Sequence, residues 1–192
     1  TFGKALPRAT DIARQLLLVY AVLTLACIAA YSAIGMSTLD AVVGGFATIA
    51  TGGFFPSDVS FTKYAGLAEY VGSLFMILAA MPYIRFVQLM NGNSRPLIFD
   101  VQLRWYLVWM LVAVLSVAVW RVMSAGTEIE PTFRETLFNV SSIMTGTGLF
   151  SGTFSGWGGF AMLVAFAIGL IGGCSGSSSG ALTVFRVQIA LS

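Results

Sequence analysis

Long apolar segments separated by short polar ones organise the whole chain. The apolar segments cover residues 11–34, 66–90, 105–124 and 157–192. A helix over the first of them would be roughly 36 Å long at 1.5 Å per residue, which is enough to cross a bilayer. The pattern therefore predicts helices that span a membrane.

Two shorter helical segments lie between these spans, at residues 37–49 and 132–144. About a dozen residues make a helix of roughly 18 Å, which is too short to cross the membrane. This length is typical of a half-helix that enters the membrane without crossing it.

Polar residues predict where the helices begin. Ser37 with Asp40, and Thr132 with Glu135, have the spacing of a capping box at the two half-helices. Thr10 is predicted to cap the first span. The two half-helices are thus expected to start in the same way, as repeated units would.

Each half-helix runs into a short string of threonine and glycine. We call residues 50–54 the first loop and residues 145–149 the second loop. The candidate ligand residues in them are Ala50, Thr51, Gly52, Gly53, Thr145, Gly146, Thr147, Gly148 and Leu149. Setting Gly52 on Gly148 also sets Pro82 on Ser178. The plan of span, half-helix, loop and span is therefore predicted to occur twice.

The two loops are predicted to bind a cation through backbone carbonyls. Non-helical backbone in a membrane leaves carbonyls without partners. A cation can become that partner, and the C-terminal end of a half-helix favours it. The alternative is that the glycines form turns or pack helices, since Gly148, Gly152 and Gly156 are four residues apart.

Composition excludes an ordinary soluble domain. Hydrophobic residues make up 57% of the chain and charged residues 9%, whereas soluble domains average about 25% charged residues. The chain has no histidine, which removes histidine-dependent catalysis. Cys27 and Cys174 are predicted to be free thiols. The chain starts at Thr1 and ends in an apolar run, so we expect a piece of a longer membrane protein.

Basic residues predict the orientation in the membrane. The larger set on one side comprises Lys4, Arg8, Arg14, Arg85, Arg95, Arg104 and Arg186. The smaller set on the other side comprises Lys63, Arg121 and Arg134. The positive-inside rule places the larger set in the cytoplasm and both loops toward the outside.

A serine- and glycine-rich stretch, the break segment, interrupts the last apolar run. It comprises Gly172, Gly173, Cys174, Ser175, Gly176, Ser177, Ser178, Ser179 and Gly180. Three interpretations are open: a flexible linker, a Gly-x-Ser-x-Gly nucleophile motif, or a mobile gate in a pore-lining helix. The apolar flanks weigh against a linker, and the absence of a histidine base weighs against a nucleophile.

These motifs together resemble the membrane subunits of the Trk/Ktr/HKT superfamily of potassium transporters. Residues 49–54 resemble the filter loop of that family's second repeat, and residues 144–149 resemble that of its third. Residues 172–176, with the tract that follows, resemble the break in its third inner helix. The family commonly has Thr or Ser at the position of Gly146. It also has more glycine, and a lysine, around the positions of Ser178, Ser179, Ala181 and Thr183.

The resemblance implies an all-α integral membrane protein with two span–pore-helix–filter-loop–span repeats, similar to the pore unit of potassium channels. The first repeat would cover residues 1–91, with outer helix 11–34 and inner helix 66–90. Residues 92–104 would be a cytoplasmic linker. The second repeat would cover residues 105–192, with outer helix 105–124, pore helix 132–144 and a broken inner helix 157–192. The two units would be repeats two and three of four.

The resemblance also implies the transported ion, the partners and the location of the protein. K⁺ would be the transported ion, bound by loop carbonyls, with no cofactor in this chain and no enzymatic activity. The partners would be the lipid bilayer, the remaining two repeats of the same polypeptide, a homodimer mate and a cytosolic nucleotide-binding regulatory subunit, and not nucleic acid. The expected location is the plasma (bacterial inner) membrane, with residues 1–10 and 92–104 cytoplasmic. An intramembrane serine hydrolase and a non-transporting membrane scaffold remain as alternatives.

Overall fold

Helices make up all the regular secondary structure in the part of the chain that the structure describes. This computed structural model describes the backbone of residues 5–191 and the side chains of residues 10–154 and 156–190. The α-helices are α1 (Ala5–Ala33), α2 (Thr38–Ile49), α3 (Leu67–Ala79), α4 (Tyr83–Met90), α5 (Arg95–Ile98), α6 (Val101–Ala125), α7 (Ile129–Thr145), α8 (Gly159–Ile171) and α9 (Val184–Leu191). Two 3₁₀ turns cover Ser60–Tyr64 and Phe154–Gly156.

Two helices of the described part are long and apolar enough to cross a membrane, α1 from Thr10 onward and α6. The helix α1 continues through Thr10 from Ala5, so the prediction that Thr10 caps it is wrong. Alanine and leucine precede Thr10 and favour helix, which lets the helix begin earlier. Residues 1–4 of the predicted cytoplasmic segment lie outside the described residues, as does residue 192 of the predicted last helix.

The inner helix predicted at residues 66–90 is divided into two helices. Between α3 and α4 the chain turns by 90°. Pro82 is the N-cap of α4 and has no N–H to continue the hydrogen bonds of α3. The α3–α4 pair amounts to a third span only if the two bent halves are counted together.

The connection into the second unit contains more helix than predicted. The short helix α5 lies within the linker expected at residues 92–104, and α6 begins at Val101 instead of residue 105. Asp100 explains the early start, because its Oδ1 accepts a hydrogen bond from the Leu103 N–H at 3.2 Å.

The two predicted capping boxes behave differently. Ser37 Oγ accepts from the Asp40 N–H at 3.2 Å, as expected for a cap. The Thr132–Glu135 box is wrong, because α7 begins at Ile129 with Glu128 as its N-cap. Thr132 lies inside the helix, and its hydroxyl donates to Thr127 Oγ1 at 2.8 Å.

Aromatic packing joins the two predicted repeats. Phe61 lies between Tyr31 of α1 and Phe138 of α7, with ring centroids 5.4 and 4.8 Å away, and all three side chains are fully buried. The helix α7 also packs against α3, α6 and α8. It therefore links the two units, because it packs on α3 of the first and on α6 and α8 of the second.

A buried ion pair strengthens the contact between α3 and α7. Glu69, of whose side chain 2% is exposed, accepts a hydrogen bond from the Arg134 guanidinium. Its carboxylate also accepts from the Gly66 N–H at 2.8 Å, and Arg134 additionally binds Glu130 at 3.1 Å. Because a buried charge is costly without a partner, loss of either residue would leave the other uncompensated.

A tight helix contact at Gly72 predicts the effect of one substitution. A Cβ atom on Gly72 of α3 would lie 2.8 Å from the Phe138 ring and 3.1 Å from the Tyr31 hydroxyl. We expect Gly72→Leu to overpack this contact and cost about 1–3 kcal/mol. Thermal melting of the full-length protein in detergent measures this as a melting temperature lower by several degrees.

Gly159→Leu is the matched control. Gly159 begins α8 and is exposed. A Cβ atom there would meet no atom within 4 Å. An equal loss of stability in the two variants would contradict the proposed role of Gly72 in packing.

Candidate functional site

The structure brings the two loops into direct backbone contact. A Cβ atom on Gly53 would lie 2.6 Å from the Thr147 carbonyl oxygen and 3.4 Å from Gly148 Cα. Gly53 also has a φ of +71°, in the left-handed region that glycine adopts most easily. Only glycine therefore fits here without moving one of the loops.

The second loop alternates between exposed glycines and buried side chains. Gly146 and Gly148 are exposed with φ of +74° and +82°, whereas Thr145, Thr147 and Leu149 are buried. The hydroxyls of Thr145 and Thr147 form a hydrogen bond of 2.7 Å. The threonine side chains thus anchor the loop in protein while the glycine positions remain accessible.

The helix-packing interpretation of the glycines is wrong. Gly148 and Gly152 lie outside the helices with positive φ, and Gly156 ends a 3₁₀ turn. Their four-residue spacing therefore does not create a helix face.

The first loop has a less usual conformation at a threonine. Thr51 has a φ of +52°, which is uncommon for a β-branched residue and costs free energy. Its hydroxyl donates to the Ser178 carbonyl at 3.0 Å. This bond to the break segment compensates part of the strain.

Both half-helices end at the loops. The helix α2 ends at Ile49 with Ala50 as its C-cap, and α7 ends at Thr145 with Gly146 as its C-cap. The C-terminal end of a helix carries partial negative charge from its free carbonyls. The junction of the two loops therefore lies where a positive ion is favoured.

The break segment is longer than predicted. It runs to Thr183 instead of Gly180, because Ala181 and Thr183 both have left-handed φ, of +66° and +67°. Long-range bonds hold this conformation: the Leu182 N–H donates to Leu170 O at 3.3 Å and the Val184 N–H to Gly173 O at 3.0 Å.

The break segment is hydrogen-bonded to the turn between α3 and α4. The Cys174 and Ser178 N–H groups donate to the carbonyls of Ala80 and Ala79 at 3.0 and 3.1 Å. In return, the Tyr83 N–H donates to Gly176 O at 3.0 Å. The interruptions of the two inner helices thus satisfy each other's backbone groups.

The break segment also reaches the second loop. Ser179 Oγ donates to the Thr145 carbonyl at 2.8 Å and accepts from the Gly173 N–H at 3.0 Å. Together with the Thr51 bond, this places the break segment against both loops.

The serine hydroxyls of the break segment do not form a catalytic arrangement. Ser177 donates to the Cys174 carbonyl at 2.7 Å, and Ser178 shares a 2.5 Å hydrogen bond with the Tyr83 hydroxyl. Ser179 bonds to the Thr145 carbonyl as described above. All three hydroxyls therefore have structural partners and none contacts a general base among the described side chains.

Several residues that hold the second loop in place were not predicted from the sequence. The turn Ser60–Tyr64 of the first unit contacts residues 150–153, which directly follow the second loop and which we call the outer limb. Ser60 Oγ accepts from the Phe150 N–H at 3.2 Å, and the Phe61 N–H donates to Phe150 O at 3.0 Å. Thr62 Oγ1 accepts from the Gly152 N–H at 2.9 Å. No local pattern marks these residues, because their partners lie some ninety positions away.

A cavity of about 340 Å³ lies beside the second loop. Its lining residues are Asn139, Ser142, Ile143, Gly148, Leu149, Phe150, Ser151, Gly152 and Phe154. The hydroxyls of Ser142 and Ser151 are buried there without a hydrogen-bond partner among the described atoms. The back of the loop is thus partly polar.

Side-chain metal ligation does not account for this site. Among the described residues, no group of three Cys, Asp or Glu side chains is arranged to hold a metal ion. The candidate ligands are the backbone carbonyls of the loops.

Comparison with known proteins identifies the family. No family model matches the chain. It is 40% identical to the Trk system potassium uptake protein TrkI of Halomonas elongata over 190 residues, which is 98% of this chain and 38% of that protein. It is 30% identical to the Trk system potassium uptake protein TrkG of Escherichia coli K12 over 192 residues, 97% of this chain and 39% of that protein. The chain is a Trk homologue.

A solved structure agrees with this assignment. The crystal structure of the potassium transporter TrkH from Vibrio parahaemolyticus matches with a TM-score of 0.89 and 27% identity, covering 96% of this chain and 41% of that one. The resemblance and the all-helical membrane fold predicted from the sequence are confirmed. The relatives are transporters and not enzymes, in agreement with the prediction. The chain spans about two fifths of the length of these Trk proteins.

A charged contact at the start of α2 predicts a pH effect. Asp40 Oδ2 accepts hydrogen bonds from Lys63 Nζ at 2.8 Å and from the Tyr64 hydroxyl at 2.5 Å. These two hydrogen bonds lower the pKa of the Asp40 carboxyl, and the bond from Lys63 has the larger effect. A lowered folded-state pKa gives stability that is complete above the unfolded pKa of about 3.9 and is lost as pH falls through the folded value.

We therefore expect Asp40→Asn to lower the melting temperature of the full-length Trk homologue at neutral pH. The difference from wild type should shrink as pH falls below about 4. Asp58→Asn, in the exposed loop after the first loop, is the control. A difference that stays constant from pH 7 to the acid limit would contradict the role of Asp40.

Proposed function

We propose that the first and second loops are two walls of the selectivity filter of a potassium uptake protein. Carbonyls of Ala50 to Gly53 and of Thr145 to Leu149 would replace the hydration shell of K⁺. The observation that carries this proposal is the backbone contact of Gly53 with Thr147 and Gly148. Two loops joined at their glycines, each at the end of a half-helix, suit a site shared between repeats.

The names of the relatives support potassium as the ion. TrkI, TrkG and TrkH are named potassium uptake proteins or a potassium transporter. The chain would provide repeats two and three of four, and the other two repeats of the same polypeptide would complete the filter. We extend the proposal to a homodimer in the bacterial inner membrane and to a cytosolic nucleotide-binding regulatory subunit.

The orientation follows from the distribution of charge. The Asp40–Lys63 and Glu69–Arg134 pairs lie at one end of the helices, and the Arg85–Asp100 pair, at 2.7 Å, lies at the other. The excess of basic residues on the Arg85 side supports a cytoplasmic position for that end. Residues 1–10 and 92–104 would then be cytoplasmic, with both loops toward the outside.

The break segment would be the gate of this pathway. Support comes from its position against both loops, where Thr51 binds Ser178 and Ser179 binds Thr145. The Thr145 carbonyl is a candidate ion ligand, so the Ser179 hydroxyl occupies an acceptor that an ion would use. Opening would require these two hydrogen bonds to break.

The filter proposal predicts the effect of a change at Gly148. Serine at a φ of +82° costs about 1–2 kcal/mol of strain, which the second loop can relieve only by moving. We expect Gly148→Ser to lower the ratio of K⁺ to Na⁺ uptake by about tenfold. Uptake of both ions by cells that lack other potassium transporters, expressing the full-length protein, measures the ratio.

Gly156→Ser provides the control for this experiment. A Cβ on Gly156 would meet no atom within 4 Å, and its φ lies outside the left-handed region. A wild-type ratio in Gly148→Ser would contradict the filter. A protein that carries neither ion would favour the membrane scaffold.

The gate proposal predicts that loosening the break segment increases flux. Deletion of Gly173 to Ser179 should raise cation uptake by the full-length protein. Ser179→Ala should raise it less, because it removes the bonds to Thr145 and Gly173 but leaves the backbone bonds to Ala79 and Ala80. Initial rates of Rb⁺ uptake at equal protein insertion compare the variants.

Ser116→Ala is the control for the gate, since its hydroxyl donates to the Ala113 carbonyl at 3.0 Å within α6. We expect the wild-type rate from this variant. Unchanged or lower flux after the deletion, in protein that inserts normally, would show that the break segment does not close the pathway. Hydrolysis of a peptide or ester by wild type, abolished in Ser177→Ala, would instead support the hydrolase.

A further inference from the structure

The side chain of Asn139 holds one residue of the outer limb by both of its backbone groups. Asn139 lies on α7 and is buried, with 2% of its surface exposed. Its Nδ2 donates to the Ser151 carbonyl at 2.8 Å, and its Oδ1 accepts from the Ser151 N–H at 3.2 Å. The second hydrogen of Nδ2 binds the Glu135 carbonyl at 2.8 Å. The side-chain amide of Asn139 thus pairs with the backbone of Ser151 as a neighbouring peptide group would.

Few other side chains could replace this arrangement. An amide carries a donor and an acceptor on one planar group, whereas aspartate of the same size is acceptor-only when ionised and leucine has neither. Because Ser151 is buried, its N–H and carbonyl would lose their partners in a leucine variant. The outer limb would then move to regain hydrogen bonds.

Movement of Ser151 would be transmitted to the second loop. Two residues, Leu149 and Phe150, separate Ser151 from Gly148 along the chain, and Leu149 is buried against the core. Phe150 is held separately by Ser60 and Phe61 of the first unit. Asn139 is therefore the anchor of the outer limb on its own half-helix, while the Ser60–Tyr64 turn is the anchor on the neighbouring unit.

The first unit is held in another way. The positions that correspond to Asn139 and Ser151 are Val43 and Phe55. Phe55 packs its ring against Phe61 and Tyr64, with centroids 5.2 and 6.4 Å away. Ring packing thus holds Phe55 in the first unit, whereas a pair of hydrogen bonds from Asn139 holds Ser151 in the second.

We propose that Asn139 is a positioning residue that sets the ion preference of the second loop. By fixing Ser151 it fixes the spacing between the carbonyls of Thr147 and Gly148 and the first loop. This inference rests on the proposed filter function. It adds a residue outside the loops, without contact to the ion, that controls selectivity.

The test uses the full-length protein reconstituted into lipid vesicles. K⁺ and Na⁺ uptake are measured over a range of concentrations for wild type, Asn139→Leu and Asn139→Asp. We expect Asn139→Leu to lower the K⁺-to-Na⁺ ratio about five- to tenfold, the scale set by loss of two neutral hydrogen bonds. The apparent KM for K⁺ should rise more than the maximal rate falls. Asn139→Asp keeps the acceptor for the Ser151 N–H and should give an intermediate ratio.

Thr136→Val is the matched control on the same helix. Thr136 is fully buried, and its hydroxyl donates to the Thr132 carbonyl at 2.6 Å within α7. We expect its ratio to stay within about twofold of wild type. This variant separates a general loss of helix stability from a change in the position of the loop.

The outcomes distinguish the two levels of the proposal. A wild-type ratio in Asn139→Leu, or an equal fall in Thr136→Val, would overturn the role of Asn139 and leave the filter intact. Wild-type protein that carries no more K⁺ than protein-free vesicles would overturn the filter and this inference together. If Asn139→Leu does not insert, Asn139→Asp decides: an intermediate ratio supports the role and a wild-type ratio overturns it.

Discussion

Backbone groups that leave a helix inside a bilayer need partners, because the hydrocarbon offers no water to bind them. The turn between α3 and α4 and the break segment both contain such groups, and they bind each other through Ala79, Ala80 and Gly176. The outer limb depends in the same way on Ser60 and Thr62. Hydrogen bonds between irregular segments thus join the two units, in addition to the packing of α3 against α7.

The elements with strong local signals could be predicted from the sequence. Apolar runs and their lengths indicated the spans and the short α2, and the threonine–glycine strings marked both loops where their helices end. Ser37 was correctly expected to cap α2, since a cap needs a partner only three residues away. The family resemblance followed from the order of these motifs along the chain.

What sequence analysis missed depends on partners distant in the chain. The Thr132–Glu135 box failed because the Glu135 carboxylate binds the Thr153 N–H instead of the start of α7. The break segment extends past Gly180 because long-range bonds to Leu170 and Gly173 outweigh the low preference of alanine and threonine for left-handed φ. Asn139 was not predicted because nothing in the sequence distinguishes it from other polar residues of a half-helix, and its partner Ser151 lies 12 positions away.

The bonds between the α3–α4 turn and the break segment also bear on biosynthesis. The Ala79 and Ala80 carbonyls receive their partners from Ser178 and Cys174, which are translated almost a hundred residues later. At ordinary rates of synthesis this interval lasts roughly 5 to 20 s. During it the nascent first inner helix must leave these carbonyls in water or in the insertion machinery, or remain straighter than in the finished protein. The hydrogen bonds that complete the 90° bend thus form late in the assembly of the first unit.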